Sequence, residues 1–252
     1  MANRFRTATV VLATLATAAA ASAAHAASYS ALSSFSLTPT GPFTYGVGQS
    51  PTAVPFTSGH SGCFGAAGLD CLNNDPTNNS TVPTVIHNTT GGDVAFAGTV
   101  NMPNNVLLLH PGPGTTAADE TSVVFTAPTS GTYDIKGFFE RLSTANNGNG
   151  VLVSVDESGP VGPATTLFSG SLTTLTYGLT SNFNLTNVSL AAGDQIDFVV
   201  NNNGEYQFDS TGLSATVSNV PEPASWALMT LGLAAMGATL RAARRREALA
   251  VA

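Results

Sequence analysis

Between Ser28 and Ser218, apolar and polar residues alternate in short runs, and Gly, Pro, Asn, Ser or Thr breaks each run before a 3.6-residue period develops. The clearest stretch is "SVVFTAPTSGTYDIKGFFERL", which reads as a strand, a Pro-Thr-Ser-Gly turn and a second strand. In the second strand Tyr133, Ile135 and Phe139 share one face, and Asp134, Lys136, Phe138 and Glu140 share the other. Such alternation marks a strand with one buried and one wet face. It recurs in "GVLVSVDES", where Val151, Val153 and Val155 alternate with Leu152, Ser154 and Asp156, and in "GDQIDFVVNN", where Ile196, Phe198 and Val200 point one way after a Gly193-Asp194 turn. "DVAFAGTV", "VLLLH", "TTLFSGSL", "NFNLTNVSL" and "GLSATVS" read as further strands. The pattern predicts an all-β fold, an antiparallel β-sandwich of about eight or nine strands over residues 27–219. The stretch from Phe43 to about Val82 is rich in Gly and Pro and ends in "NNDPTNNST". It reads as a long loop, which the aromatics Phe43, Tyr45, Phe56 and Phe64 would order by packing, with disorder as the alternative.

Two segments depart from this pattern. Arg4 and Arg6 precede an uncharged apolar run, Thr7 to Ala23, and the small-residue site Ala24-His25-Ala26. Residues 1–26 therefore read as a signal peptide cleaved between Ala26 and Ala27, with an N-terminal helical anchor as the alternative. Residues 220–252 begin with Val220, Pro221, Glu222 and Pro223, continue as a charge-free stretch over 223–240, and reach the basic cluster Arg241, Arg244, Arg245 and Arg246. Eighteen residues make a helix of about 27 Å, close to the ~30 Å hydrocarbon thickness. This predicts one C-terminal transmembrane helix, with Pro223 in its first turn, Trp226 at the interface and the arginines on the cytoplasmic side.

Charge follows these boundaries. The exported part holds two basic residues, Lys136 and Arg141, against thirteen Asp and Glu, a net charge of −11. A surface this acidic repels phosphate backbones and excludes nucleic acid as a partner; divalent cations and neutral polymers stay compatible. Cys63 and Cys71 are the two cysteines, and export places them where a short-loop disulfide forms. A metal pair is the other reading, without CxxC spacing or further cysteines behind it.

The order of Pro-Glu-Pro tripeptide, apolar helix and arginine cluster resembles the PEP-CTERM sorting signal of exopolysaccharide-producing Gram-negative bacteria. The resemblance covers about the last 30 residues and implies recognition by a membrane-embedded exosortase, removal of the tail, and delivery to the cell surface or extracellular matrix. An ordinary single-pass anchor is the alternative. The exported region resembles a β-sandwich domain common among such proteins, through Phe43-Thr44-Tyr45-Gly46, His110-Pro111-Gly112, Pro128 to Tyr133, Gly193 to Val200, and Asp209 to Leu213. It departs at the first element, where Phe43 stands in place of Trp. That family looks like jelly-roll carbohydrate-binding modules and brings no defined activity with it.

Candidate chemistry is sparse. Nucleophile-elbow, metalloprotease, Walker and dinucleotide motifs are absent from the sequence, so no catalytic residue is assigned. His60, His87 and His110 each stand alone in Gly, Pro or Asn contexts and read as structural more readily than as metal ligands. Glu140 with Glu157, or Asp197 with Glu205, could reach glycosidase spacing by chance. Glu205 and Asp209, beside Asn201, Asn202 and Asn203, form an oxygen-rich loop that could hold calcium, although no EF-hand spacing is present. Tyr45, Tyr177 and Tyr206 are candidate sugar-stacking residues, each equally readable as a core-edge tyrosine. Two functions stay open: a non-catalytic surface or matrix protein associated with exopolysaccharide, and a secreted carbohydrate-active hydrolase.

Overall fold

The computed structural model describes residues 26–160, 162–220 and 223–250, without side chains for 223–228 and 243–250. All but the last residue of the expected leader, Pro221 and Glu222, and the side chains of Pro223, Trp226 and Arg244 to Arg246 therefore lie outside the described residues. The described chain divides into a compact β unit, Ala27–Val220, and a helix, α1 (Pro223–Ala250).

In the β unit the strands are β1 (Ser28–Ser30), β2 (Phe43–Val47), β3 (Val54–Pro55), β4 (Ser58–Ser61), β5 (Leu69–Asn73), β6 (Thr84–Asn88), β7 (Val94–Phe96) and β8 (Val100–Met102). They continue as β9 (Leu107–His110), β10 (Thr121–Thr126), β11 (Gly131–Arg141), β12 (Val151–Ser158), β13 (Thr165–Leu172), β14 (Thr180–Leu190), β15 (Gln195–Asn201) and β16 (Thr211–Val220). One sheet runs β14-β11-β16-β9-β6-β5-β4, with β1 also on β16; the other runs β13-β12-β15-β10-β2-β3. Both are antiparallel throughout. From β10 onward the chain changes sheet at every turn except the β12–β13 hairpin, which is how a continuous chain builds two facing layers.

The alternation read from the sequence fills the space between the sheets. Tyr133, Ile135 and Phe139 from one sheet meet Val153, Val155, Ile196, Phe198 and Val200 from the other. Phe183 links the layers, with ring centroids 5.6 Å from Phe139 and 5.6 Å from Phe198. Tyr133 stays buried because its hydroxyl donates to the Thr129 carbonyl at 2.7 Å.

Three expectations change. The 43–82 segment is not one loop: it contains β2 to β5, and β2 pairs with β10 from Val47↔Thr121 to Phe43↔Phe125. Its backbone partner lies almost eighty residues away, so Gly and Pro on either side obscure a strand whose pairing is non-local. "DVAFAGTV" is two strands, folded into a β7–β8 hairpin at Ala97 and Gly98, whose φ values are 50° and 74°. Among the described residues sixteen strands stand where the pattern predicts about eight or nine; β1 to β6 and the second strand of the β7–β8 hairpin are the additions, each of five residues or fewer.

A second apolar cluster lies on the other face of β5, β6 and β9, where Cys71, Ile86 and Leu108 point away from the main core. The β7–β8 hairpin and a 3₁₀ turn, Cys63–Gly65, cover it, and a Cys63–Cys71 disulfide with Cα atoms 6.1 Å apart ties the turn to β5.

Gly137, in the middle of β11, is the tightest point between the strands and the core. A Cβ there would strike the Ser214 carbonyl oxygen of β16 and lie 2.7 Å from Phe183 Cζ. Gly137→Ala is expected to destabilise the β unit by about 3 kcal/mol, as overpacked cores do. Gly92→Ala, with nothing within 4 Å of the added methyl, should leave the guanidinium midpoint close to that of the parent. Equal midpoints for the two variants at unchanged slope would contradict this packing.

Candidate functional site

The outward face of the six-stranded sheet carries its buried acids. Alternation sends Ile196 and Phe198 inward and Asp197 outward, and likewise Val155 inward and Asp156 outward, while the β12–β15 register sets Asp156 opposite Asp197. Like charges directly opposite each other are unfavourable in a sheet. The loop after β2 relieves this: Ser50 donates to Asp197 through its hydroxyl (2.8 Å) and its amide (3.3 Å), and Gln49 Nε2 reaches Asp156 at 3.4 Å. Ser154 and Thr166 also donate to Asp156, the latter at 2.6 Å. Burial still pushes the Asp197 carboxyl up to about 6, reinforced by the charge of Asp156. Burial also raises Glu120, against the opposing hydrogen bond from Asn201 Nδ2 at 2.6 Å.

Two depressions flank this loop. One, of about 420 Å³, is lined by residues including Gln49, Glu120, Leu152, Ser154 and Asn201 and contains no aromatic side chain. The other, of about 190 Å³, lies against Thr44, Ser50, Pro51 and Ser122. The acids beneath the loop are occupied by internal donors, so the face offers hydroxyls and amides more than a free acid and base. Of the pairs considered from sequence, Glu140 lies on the eight-stranded sheet and Glu157 on the six-stranded one, and their carboxyls are raised by burial first and then by Asp93 and Asp194 respectively. Asp197 is buried while Glu205 is exposed in the following loop. The pairing of Asp156 with Asp197 was not read from the sequence; the signal available was an Asp at an outward position of each alternating strand.

At one end of the sandwich, Arg141, Asn149 and Asp209 leave polar atoms unanswered. Arg141 is 2% exposed and Asp209 1%. Arg141 Nη2 donates to the Ala145 carbonyl at 3.1 Å, but among the described residues its Nε, Asn149 Oδ1 and both Asp209 carboxylate oxygens find no hydrogen-bond partner. Burial drives the Asp209 carboxyl up to about 8; Arg141 opposes the shift and Glu205 adds to it. Among the described residues no group of three or more His, Cys, Asp or Glu side chains could hold a metal ion. The histidines have separate partners: His60 Nε2 meets the Asp75 carbonyl, His87 packs on Phe35, and His110 Nδ1 meets the Pro111 carbonyl.

The tyrosines divide. Tyr45 is a core residue, 2% exposed, whose hydroxyl donates to the Ala31 carbonyl at 3.1 Å, so it offers no ring face to a sugar. Tyr206 is partly buried, edge-on to His110. Tyr177 is 38% exposed and accepts a hydrogen bond from Asn101 Nδ2 at 2.8 Å.

Helix α1 runs through the predicted apolar stretch, with Leu231, Leu233, Leu240 and Arg241 exposed. Among the described residues no helix is long and apolar enough to cross a membrane. The expected span, 223–240, includes six positions whose side chains lie outside the description. The PEP-CTERM protein-sorting motif matches residues 219–246. No curated protein matches the chain. Among solved structures, the chain is similar to TmCBM61 in complex with beta-1,4-galactotriose at 14% identity, covering 46% of this chain and 70% of that one with a TM-score of 0.28. It is similar to the CBM36-1 domain of a multidomain xylanase from the hindgut metagenome of Trinervitermes trinervoides at 15% identity, covering 55% and 97%, TM-score 0.30. It is also similar to Eiger TNF from S. frugiperda at 15% identity, covering 55% and 91%, TM-score 0.29. Likeness at this level assigns no ligand; the tail carries a PEP-CTERM protein-sorting motif.

The buried acid makes a pH prediction. The folded state holds the Asp209 proton to about pH 8, whereas an unperturbed carboxyl releases it near 3.8. Between those values the folded state binds the extra proton, so stability falls as pH rises through that window. Asp209→Asn, neutral at every pH, is expected to melt above the parent at pH 8 and to lose part of the parent's downward slope from pH 4 to 8. Parallel melting curves for the two proteins across that range would refute the assignment.

Proposed function

We propose that this is an exported, exosortase-sorted protein of the cell surface or extracellular matrix, whose β-sandwich is non-catalytic and associates with exopolysaccharide. The observation that carries the reading is the PEP-CTERM motif at residues 219–246. Its parts have separable physical tasks. A charge-free helix gives a transient hold on the membrane, the arginines keep their end cytoplasmic, and the Pro-Glu-Pro tripeptide before the helix is the feature an exosortase reads. Removal of the tail releases the sandwich. The acids on the sandwich are held by Ser50, Ser154, Thr166 and Gln49, which supports binding or scaffolding over hydrolysis.

Charge narrows the partner. At −11, residues 27–220 repel acidic polymers, so the preferred partner is a neutral polysaccharide, and an acidic one would bind only through calcium bridges.

The expected outcome for sorting is that protein recovered from the cell surface has an intact mass lacking both the leader and the C-terminal helix. A mass that still ends at Ala252 would leave an ordinary membrane anchor and remove the exosortase from the account. In titrations with purified polysaccharides, neutral polymers are expected to bind without calcium and acidic ones only with it, and release of reducing sugar would revive the hydrolase.

A further inference from the structure

The β7–β8 hairpin and the disulfide-tied turn do not close completely over the outward face of β6 and β9. A cavity of about 240 Å³ remains between them, with Ile86 and Leu108 of the sheet and the rings of Phe64, Phe96 and Phe208 in its lining. Among the described residues no Asp, Glu, Lys or Arg lines it. Its polar groups are Thr84, Thr99, His110, Gln207 and Ser210. Thr84 is committed to the Leu72 carbonyl at 2.9 Å. His110 donates from Nδ1 to the Pro111 carbonyl at 2.9 Å, which fixes the neutral tautomer and leaves Nε2 an acceptor. Among the described residues nothing donates to that nitrogen. Burial lowers the basicity of the ring, against the opposing bond to the Pro111 carbonyl.

Backbone strain concentrates around the same cavity. Among the described residues five non-glycine residues have positive φ: Phe64 (54°), Ala97 (50°), Asn187 (59°), Asn203 (51°) and Phe208 (66°). Asparagine adopts this region readily, and phenylalanine does not. The three that are not asparagine all line the cavity, one each from the turn, the hairpin and the loop before β16. Strain held at one place by three separate segments marks a site that the fold keeps at a cost in stability.

We infer that this cavity binds one neutral pyranose unit of a saccharide, its apolar ring face against Phe64, Phe96 and Phe208 and its hydroxyls on His110 Nε2, Ser210 and Thr99. The inference rests on the polysaccharide-association reading and gives it a place. Three features select the ligand class. The lining holds no carboxylate, lysine or arginine to pair with an ion. The volume falls below the roughly 300 Å³ at which drug-sized sites begin, leaving room for one ring. Aromatic faces beside an unfilled acceptor suit a molecule that is apolar on one side and hydroxylated at its edge, which describes a pyranose better than an acyl chain.

Methyl glycosides of neutral hexoses and 6-deoxyhexoses, titrated into the mature exported protein by calorimetry, test it directly, with Phe208→Gly and Phe64→Gly as variants. Glycine removes the ring and relieves the positive φ together. At least one glycoside is expected to bind the parent, and each variant is expected to lose about tenfold in glycoside affinity whatever the change in its melting temperature. A residue that merely packs would show a lower melting temperature with affinity unchanged, and that result in both variants overturns the assignment. Polysaccharide binding that survives in both variants, or that occurs without binding of any glycoside, overturns the cavity and spares the broader reading. Failure of every glycoside and every polysaccharide overturns both. Uptake of an apolar dye with no glycoside binding assigns the cavity to an acyl or aromatic ligand and overturns the saccharide.

Discussion

The contact between Phe183 of one sheet and Phe198 of the other is where the two layers become one structure. Phe183 also touches Phe139 in its own sheet and Phe168 in the opposite one, at 5.6 and 5.8 Å, so a single ring is shared by four strands. A second group, Phe43, Phe125, Tyr133 and Tyr29, continues the aromatic layer across both sheets. Losing a buried phenylalanine costs about 3 to 5 kcal/mol, a large share of the 5 to 15 kcal/mol that holds a domain folded. Gly137 belongs to the same constraint, because only a residue without a side chain lets β16 and the Phe183 ring approach β11 so closely.

With the layers held by apolar contact, the acidic residues have to be accommodated elsewhere. Thirteen acids and two bases in the exported region cannot neutralise one another, and among the described residues one ion pair forms, Lys136 with Asp134 at 3.5 Å. The chain meets this in two ways. Asp156 and Asp197 are covered by a polar loop that supplies uncharged donors, while Asp209 is left without a hydrogen bond and holds its proton toward neutral pH. The first arrangement orders the outer face of the six-stranded sheet. The second concentrates a titration at one end of the sandwich, beside the buried Arg141.

The sorting motif and the cavity fall on different physical levels. The tail is read as a linear order of tripeptide, apolar stretch and arginines, which needs a membrane and an extended or helical chain but no tertiary contact. The cavity beneath the hairpin depends wholly on tertiary contact, because its three strained residues come from segments more than a hundred residues apart, from Phe64 to Phe208.

That division also separates what was legible in the chain. Alternation alone placed Tyr133, Ile135 and Phe139, the three valines of β12, and Ile196, Phe198 and Val200 on the core face, since side-chain direction in a strand is set by the residue itself and its two neighbours. The order of residues 220–246 marked the sorting tail, for the same reason of locality. Tertiary structure decided the rest. β2 became a strand because β10 offers it hydrogen bonds, and Tyr45 entered the core with it. "DVAFAGTV" folded back on itself where Ala97 and Gly98 turn left-handed. Asp156 came to face Asp197 through a register between distant strands, and Asp209 lost its water through packing of the loops at one end. A local pattern carries the direction of a side chain; its partner, its burial and its protonation belong to whichever segment arrives opposite.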